Sequence, residues 1–136
     1  MAASVIVDAS FLVTLLDRRE THHRWADAQA LQYPPPWKTC EAVISETLFL
    51  LGPGGVPAFA ALLRRGPIVA SFRFDDSAEE VLTLMQKYSD VPMSFADACL
   101  VRMTETLTDP LLLTTDNDFR TYRRHSRQTL PCVMPR

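Results

Sequence analysis

The sequence predicts an α/β domain, a three-layer α/β/α sandwich around a central, mostly parallel sheet of four to five strands, and three observations support this. Short aliphatic and β-branched runs alternate with stretches of helical periodicity, so successive strands are joined through helices and pair in parallel. Two of these runs, Val5-Ile6-Val7 and Leu111-Leu112-Leu113-Thr114-Thr115, end directly on an aspartate, Asp8 and Asp116, which places two carboxylates at the carboxyl ends of strands. A chain of 136 residues that is 47% hydrophobic has apolar surface for one core and is too short for two of ordinary size, so residues 1–136 are expected to form a single domain.

In chain order, the first strand is expected over Ser4 to Val7, followed by helices from about Ser10 to Arg18 and from about Thr21 to Gln32. Pro34-Pro35-Pro36 stops the second, because proline lacks the amide donor that a helix needs. A third helix, Glu41 to Leu51, is expected to be interrupted at Gly52-Pro53-Gly54-Gly55, and a short one around Pro57 to Arg65 ends at Gly66-Pro67. The run Ile68 to Phe74 reads as a strand, and Asp90-Val91-Pro92 separates helices near Ser77 to Tyr88 and Ser94 to Leu107. Leu111 to Thr115 is a strand, Asp118 to Arg124 a brief basic helix, and Cys132 to Met134 a closing strand.

Composition removes several classes of function. A charged fraction of 22% together with seven Phe, three Tyr and two Trp argues against disorder. The start, MAASVIVDASFLVTLL, has no basic residue before its apolar stretch and an Asp inside it, so it fails as a secretory signal. No run approaches the roughly 18 apolar residues of a membrane span, and a cytoplasmic protein without membrane contact is expected. Cys40, Cys99 and Cys132 are odd in number and widely spaced, which suits buried reduced thiols better than a disulfide framework. The net charge of −2 gives no overall pull toward nucleic acid. Its distribution is more informative, since Arg120, Arg123, Arg124 and Arg127 crowd the last stretch, and arginine outnumbers lysine twelve to two. Guanidinium is the better bidentate partner for phosphate, although a basic solvated face reads the same way.

The acids carry most of the functional content. Asp8 and Asp116 lie where open parallel sheets bind ligands, and each also suits the cap of a following helix. Glu46 has Ala42, Val43, Phe49 and Leu50 as its helical neighbours, so it is expected on a buried face, needing an Arg, a hydrogen-bond network or a metal. Glu41 shares its side with Ser45 and is expected in solvent. Asp97 follows Ser94 at capping-box spacing, while Leu100 and Val101 turn it inward. Four such acids would converge if the sheet is parallel, with a repulsion that a cation offsets. An all-oxygen set without Cys or His favours Mg²⁺ or Mn²⁺ over zinc. His22-His23 beside Trp25 reads as surface histidines near a buried indole, because adjacent residues face different sides of a helix.

Over nearly its full length the chain resembles the PIN domains, in particular the VapC-like ribonuclease toxins of bacterial toxin-antitoxin pairs. Val5-Ile6-Val7-Asp8-Ala9-Ser10 resembles their first-strand motif, Ile44-Ser45-Glu46-Thr47-Leu48 the segment with their glutamate, Ser94-Phe95-Ala96-Asp97-Ala98 the third motif, and Leu113-Thr114-Thr115-Asp116-Asn117-Asp118-Phe119 the fourth. The resemblance implies Asp8, Glu46, Asp97 and Asp116 around a metal, Asp118 as a fifth acid, Ser10 as a hydroxyl helper and Thr115 steadying Asp116. Ala9 departs from the Thr or Ser of many members. Also implied are hydrolysis of RNA phosphodiesters by metal-activated water, a homodimer, and a small inhibitory antitoxin. A haloacid-dehalogenase-like phosphatase would need an Asp where Ser10 stands, and a response-regulator receiver an acidic pair after the first strand and a lysine near the last. A catalytically idle PIN module that binds RNA or protein remains the other reading.

Overall fold

The computed structural model describes residues 3–136. Its strands are β1 (Ser4–Val7), β2 (Trp37–Thr39), β3 (Ile68–Ala70), β4 (Pro110–Leu113), β5 (Arg123–Arg124), β6 (Gln128–Thr129) and β7 (Cys132–Val133), and its helices α1 (Ala9–Leu16), α2 (His23–Gln32), α3 (Glu41–Arg65), α4 (Ala78–Lys87) and α5 (Phe95–Thr106). Five strands form one parallel sheet in the order β3-β2-β1-β4-β7, flanked by helices, while β5 and β6 pair antiparallel as a separate hairpin. The expected sandwich is therefore the observed one.

All four residues of β1 are buried, as a central strand covered on both faces requires. Beside it, β4 runs in register from Ser4 opposite Pro110 to Val7 opposite Leu113. From the centre the chain first builds outward through β2 and β3, then crosses back to β4 and β7 on the other side. The strand order thus reverses between β1 and β4, and at such a switch point the loops after two neighbouring strands part and leave a crevice at their carboxyl ends. Asp8 and Asp116 follow these two strands.

Several expectations are corrected. β2 was not foreseen, because three residues directly after a proline run give too short a pattern to read. The strand from Ile68 stops at Ala70, and Phe74–Ser77 is a 3-10 turn. Asp118 to Arg124 is no helix: a 3-10 turn, Asn117–Arg120, leads into the β5–β6 hairpin, whose corner puts His125 and Ser126 at φ 48° and 69°. The interruption expected at Gly52-Pro53-Gly54-Gly55 is present: Gly52 leaves helical geometry at φ 68° and ψ 179°, where a side chain would be strained, and this kink divides α3 into two helical parts, the second running on from Pro53. Three residues on, a Cβ on Gly55 would stand 2.8 Å from that of Leu51.

With 25 residues and a window of mean hydropathy 1.4, α3 also has the length and composition of a membrane span, contrary to the sequence expectation. Its first half packs Val43 and Thr47 into the core. At 1.5 Å per residue, the part beyond the kink reaches about 20 Å, short of the roughly 30 Å of hydrocarbon.

Candidate active site

Asp8 caps α1, accepting the Ala9 amide at 2.6 Å, so its carboxylate is fixed at the strand end by the start of the helix. Its other oxygen accepts two hydroxyls, Thr114 at 2.7 Å and Ser10 at 2.8 Å. Each hydroxyl accepts in turn from the loop after β4: Ser10 from the Thr115 amide and Thr114 from the Asp116 amide, both at 3.0 Å. Two small side chains therefore clamp the loop after β1 to the loop after β4, holding Asp8 and Asp116 on one rim. Asp116 itself accepts the Asp118 amide at 2.9 Å and caps the 3-10 turn.

The expected helper roles divide accordingly. Ser10 touches Asp8 as anticipated, whereas the hydroxyl that steadies the Asp116 loop belongs to Thr114 and not to Thr115, which contributes its backbone amide. β4 ends at Leu113, two residues earlier than the sequence suggests, and the inward turn of Thr114 follows from that.

Asp97 arrives from α5. Ser94 and Asp97 form a reciprocal capping box, with the Asp97 amide donating to the Ser94 hydroxyl at 3.0 Å and the Ser94 amide to the Asp97 carboxylate at 3.2 Å. The same carboxylate oxygen receives the hydroxyl of Tyr122 at 3.1 Å. Tyr122 is fully buried, edge-on to Tyr88 and Phe119, and sequence reading missed it, since a tyrosine 25 residues away carries no local signal.

The four principal acids come from four separate segments and feel one another's charge. Asp8 is 3% exposed and its carboxyl is pushed up to about 6, first by burial, against the lowering hydrogen bonds from Thr114 and Ser10, and further by Asp116 and Glu46. Asp97, 7% exposed, is also raised to about 6, chiefly by burial, with Asp8 and Asp116 adding to it. Burial followed by Asp97 and Asp116 raises Glu46. Burial first, and then the neighbouring Asp97, hold the Tyr122 hydroxyl well above its ordinary value, so it stays protonated and donates.

Glu46 requires a correction. It is half-buried, not fully covered, because Phe49 and Leu50 on the next turn are 83% and 53% exposed. The stripe of α3 that carries Glu46 thus turns to solvent at its next turn, while Leu48 and Leu51 beside it pack on the core. No ion pair to Glu46 occurs among the described residues, so the structural salt bridge that sequence left open is not made. Nor, among the described residues, do three or more His, Cys, Asp or Glu side chains stand close enough together to hold a metal ion without moving. The acids form an open rim whose charges repel, and its all-carboxylate donors suit a hard divalent cation.

The basic stretch divides in two. Arg123 spends one guanidinium nitrogen on the carbonyls of Arg120, Thr121 and Tyr122, and Arg124 donates to the carbonyl of Thr104. These two are half-buried and fasten the hairpin, while Arg120 and Arg127 are exposed. Arg120 also holds Asn117 at 3.1 Å. Cys40 and Cys99 are buried and Cys132 partly so, all as free thiols. His22 and His23 are partly covered beside Trp25, which meets Phe11 edge-on, and His23 pairs with Asp27 at 3.2 Å.

The family model described as PIN domain matches residues 5–124. No curated protein matches the chain.

Proposed function

The chain belongs to the PIN domain family, whose members are generally nucleases that typically use divalent metals, and from that premise we propose that it is a metal-dependent endoribonuclease. One observation carries the reading: four carboxylates from separate segments gather at the switch point of a parallel sheet, two of them raised to about 6. Carboxylates are desolvated together at a cost in stability, and a bound cation would offset it.

Asp8, Asp97, Asp116 and Glu46 would hold Mg²⁺ or Mn²⁺, with Asp118 at the margin. The ion, when bound, supplies activation of water and neutralisation of the charge that develops during phosphoryl displacement. The chain's own groups position. Ser10 and Thr114 fix the orientation of Asp8, while the Ser94 amide and Tyr122 fix that of Asp97. Arg120 and Arg127 are available to the RNA backbone.

The reading extends to a cytoplasmic toxin of the VapC kind, a homodimer restrained by a small antitoxin. It is supported by the order of the four motifs and by the exposed Phe49 and Leu50 of α3, a surface of the type that protein partners cover. The absence, among the described residues, of a group standing close enough together to hold a metal ion favours the second reading, an idle module that binds RNA or protein without cutting.

Incubating structured and single-stranded RNA with the protein in Mg²⁺, Mn²⁺ or EDTA, beside the Asp8→Asn variant, separates the two. Cutting that requires metal and is lost in the variant is expected. RNA binding without cutting in either metal would replace the nuclease by the idle module.

A further inference from the structure

Next to the acids, at the ends of β2 and β3, lies a narrow cleft of about 90 Å³ that the proposed chemistry leaves unused. It is lined by Cys40, Glu41, Ala42, Phe72, Phe74 and Phe95. Phe74 and Phe95 form its aromatic part, edge to face with ring centres 5.3 Å apart, and Phe95 is 41% exposed. A phenylalanine this exposed in the first turn of a helix is not there to fill the core.

The cleft and the acids share their supports. Phe95 precedes Asp97 by two residues in the first turn of α5. Cys40 caps α3, the helix of Glu46, and follows Thr39, whose hydroxyl donates at 2.8 Å to the carbonyl of Val7, immediately before Asp8. The cleft is thereby built on the same segments that carry Asp97, Glu46 and Asp8. It is too small for a length of chain and opens beside the exposed Phe95, so that a base laid against that ring enters it by one edge. At its mouth Glu41 is exposed and, among the described residues, its carboxylate has no partner.

We infer that this cleft is a base subsite of the same active site, in which one unstacked guanine of the RNA lies against Phe95 with its Watson–Crick edge toward Glu41. The inference rests on the nuclease reading for its substrate. Proteins read single-stranded RNA by stacking splayed bases on aromatic faces and hydrogen-bonding their edges. Stacking contributes roughly 5- to 150-fold in affinity per base. An ionised carboxylate only accepts, and guanine alone among the four bases offers two adjacent N–H donors on that edge, from N1 and the exocyclic amine. Uracil presents one donor between two carbonyls, which Glu41 would repel.

The test is equilibrium binding of the fluorescently labelled pentanucleotides UUGUU, UUAUU and UUUUU in EDTA, where no metal-dependent cutting intervenes, with Mg²⁺ cleavage assayed on the same preparations. Wild type is expected to favour UUGUU by roughly tenfold; Phe95→Leu should abolish that preference, Phe95→Tyr preserve it, and Glu41→Gln narrow it. Thermal melting of each variant checks that the fold persists. Equal affinity for all three RNAs, unchanged in Phe95→Leu, would overturn the subsite even if cleavage is intact. A Phe95-dependent preference for adenine or uracil would overturn the guanine assignment. A Phe95-dependent guanine preference without any cutting in metal would support the subsite while removing the nuclease reading.

Discussion

The carboxyl edge of the sheet and the exposed stripe of α3 just before its kink break the same rule in opposite directions. At the edge, Asp8 and Asp97 are carboxylates almost without solvent, whereas on α3 Phe49 and Leu50 are large apolar side chains standing in it. Either arrangement is destabilising in an isolated chain, and under the proposed function a cation would relieve the first and an apolar protein surface the second. Sites of function here are the places where folding by itself leaves the wrong group in the wrong solvent.

The largest effect is expected where the edge is altered. Asp8→Asn and Asp97→Asn should each lower cleavage by roughly a thousandfold or more, about 4 kcal/mol of barrier, and single-turnover rates would show it. Activity near that of wild type in either variant would dissolve the contrast.

The same carboxyls should make the metal-free protein lose stability as the pH rises. Asp8 and Asp97 hold their protons up to about 6 when folded against 3.8 ordinarily, so the folded state binds more protons between those values. Stability from these groups is greatest below about 4 and falls through about 6, by up to about 3 kcal/mol for each. Urea unfolding across that range should record the decline, Asp8→Asn should flatten it, and saturating Mg²⁺ should reverse part of it. A metal-free protein that gains stability from pH 4 to 6 would contradict the assignment.

Thr114 gives a finer comparison inside the edge. Thr114→Val should reduce metal affinity or activity by roughly 10- to 100-fold, while Thr115→Val, which keeps its backbone amide, should stay close to wild type. For α3, a Phe49→Ser, Leu50→Ser double variant should weaken self-association by roughly tenfold, seen by sedimentation, and leave single-turnover chemistry at the acids in place. The smallest effect concerns the arginines. Arg120→Ala and Arg127→Ala should each lower the salt slope of RNA binding by about 1, whereas Arg123→Ala and Arg124→Ala should lower the melting temperature instead.

The acids and the sheet were legible in sequence for a common reason. Asp8 and Asp116 follow apolar runs directly, and Asp97 sits at capping-box distance from Ser94, so local spacing alone puts each at an element's end. What sequence obscured depends on distance or on solvent. Periodicity places Phe49 and Leu50 on one helical stripe with Glu46 but does not say whether that stripe faces the chain's own core or a partner. Arg123 and Arg124 look like phosphate ligands because their hairpin turns through His125 and Ser126, with none of the glycines that usually announce such a corner. Tyr122 and Thr114 act across separations of 25 and 106 residues, beyond any local pattern.

That last separation has a consequence for how the protein is made. Asp8 is synthesised 106 residues before the Thr114 hydroxyl that secures it, and the fourth acid follows in the same loop after β4. With β1 waiting at the centre of the sheet for β4, a nascent or truncated chain that stops short of Asp116 carries an incomplete acid set. A complete acid set is thereby tied to synthesis of the loop after β4.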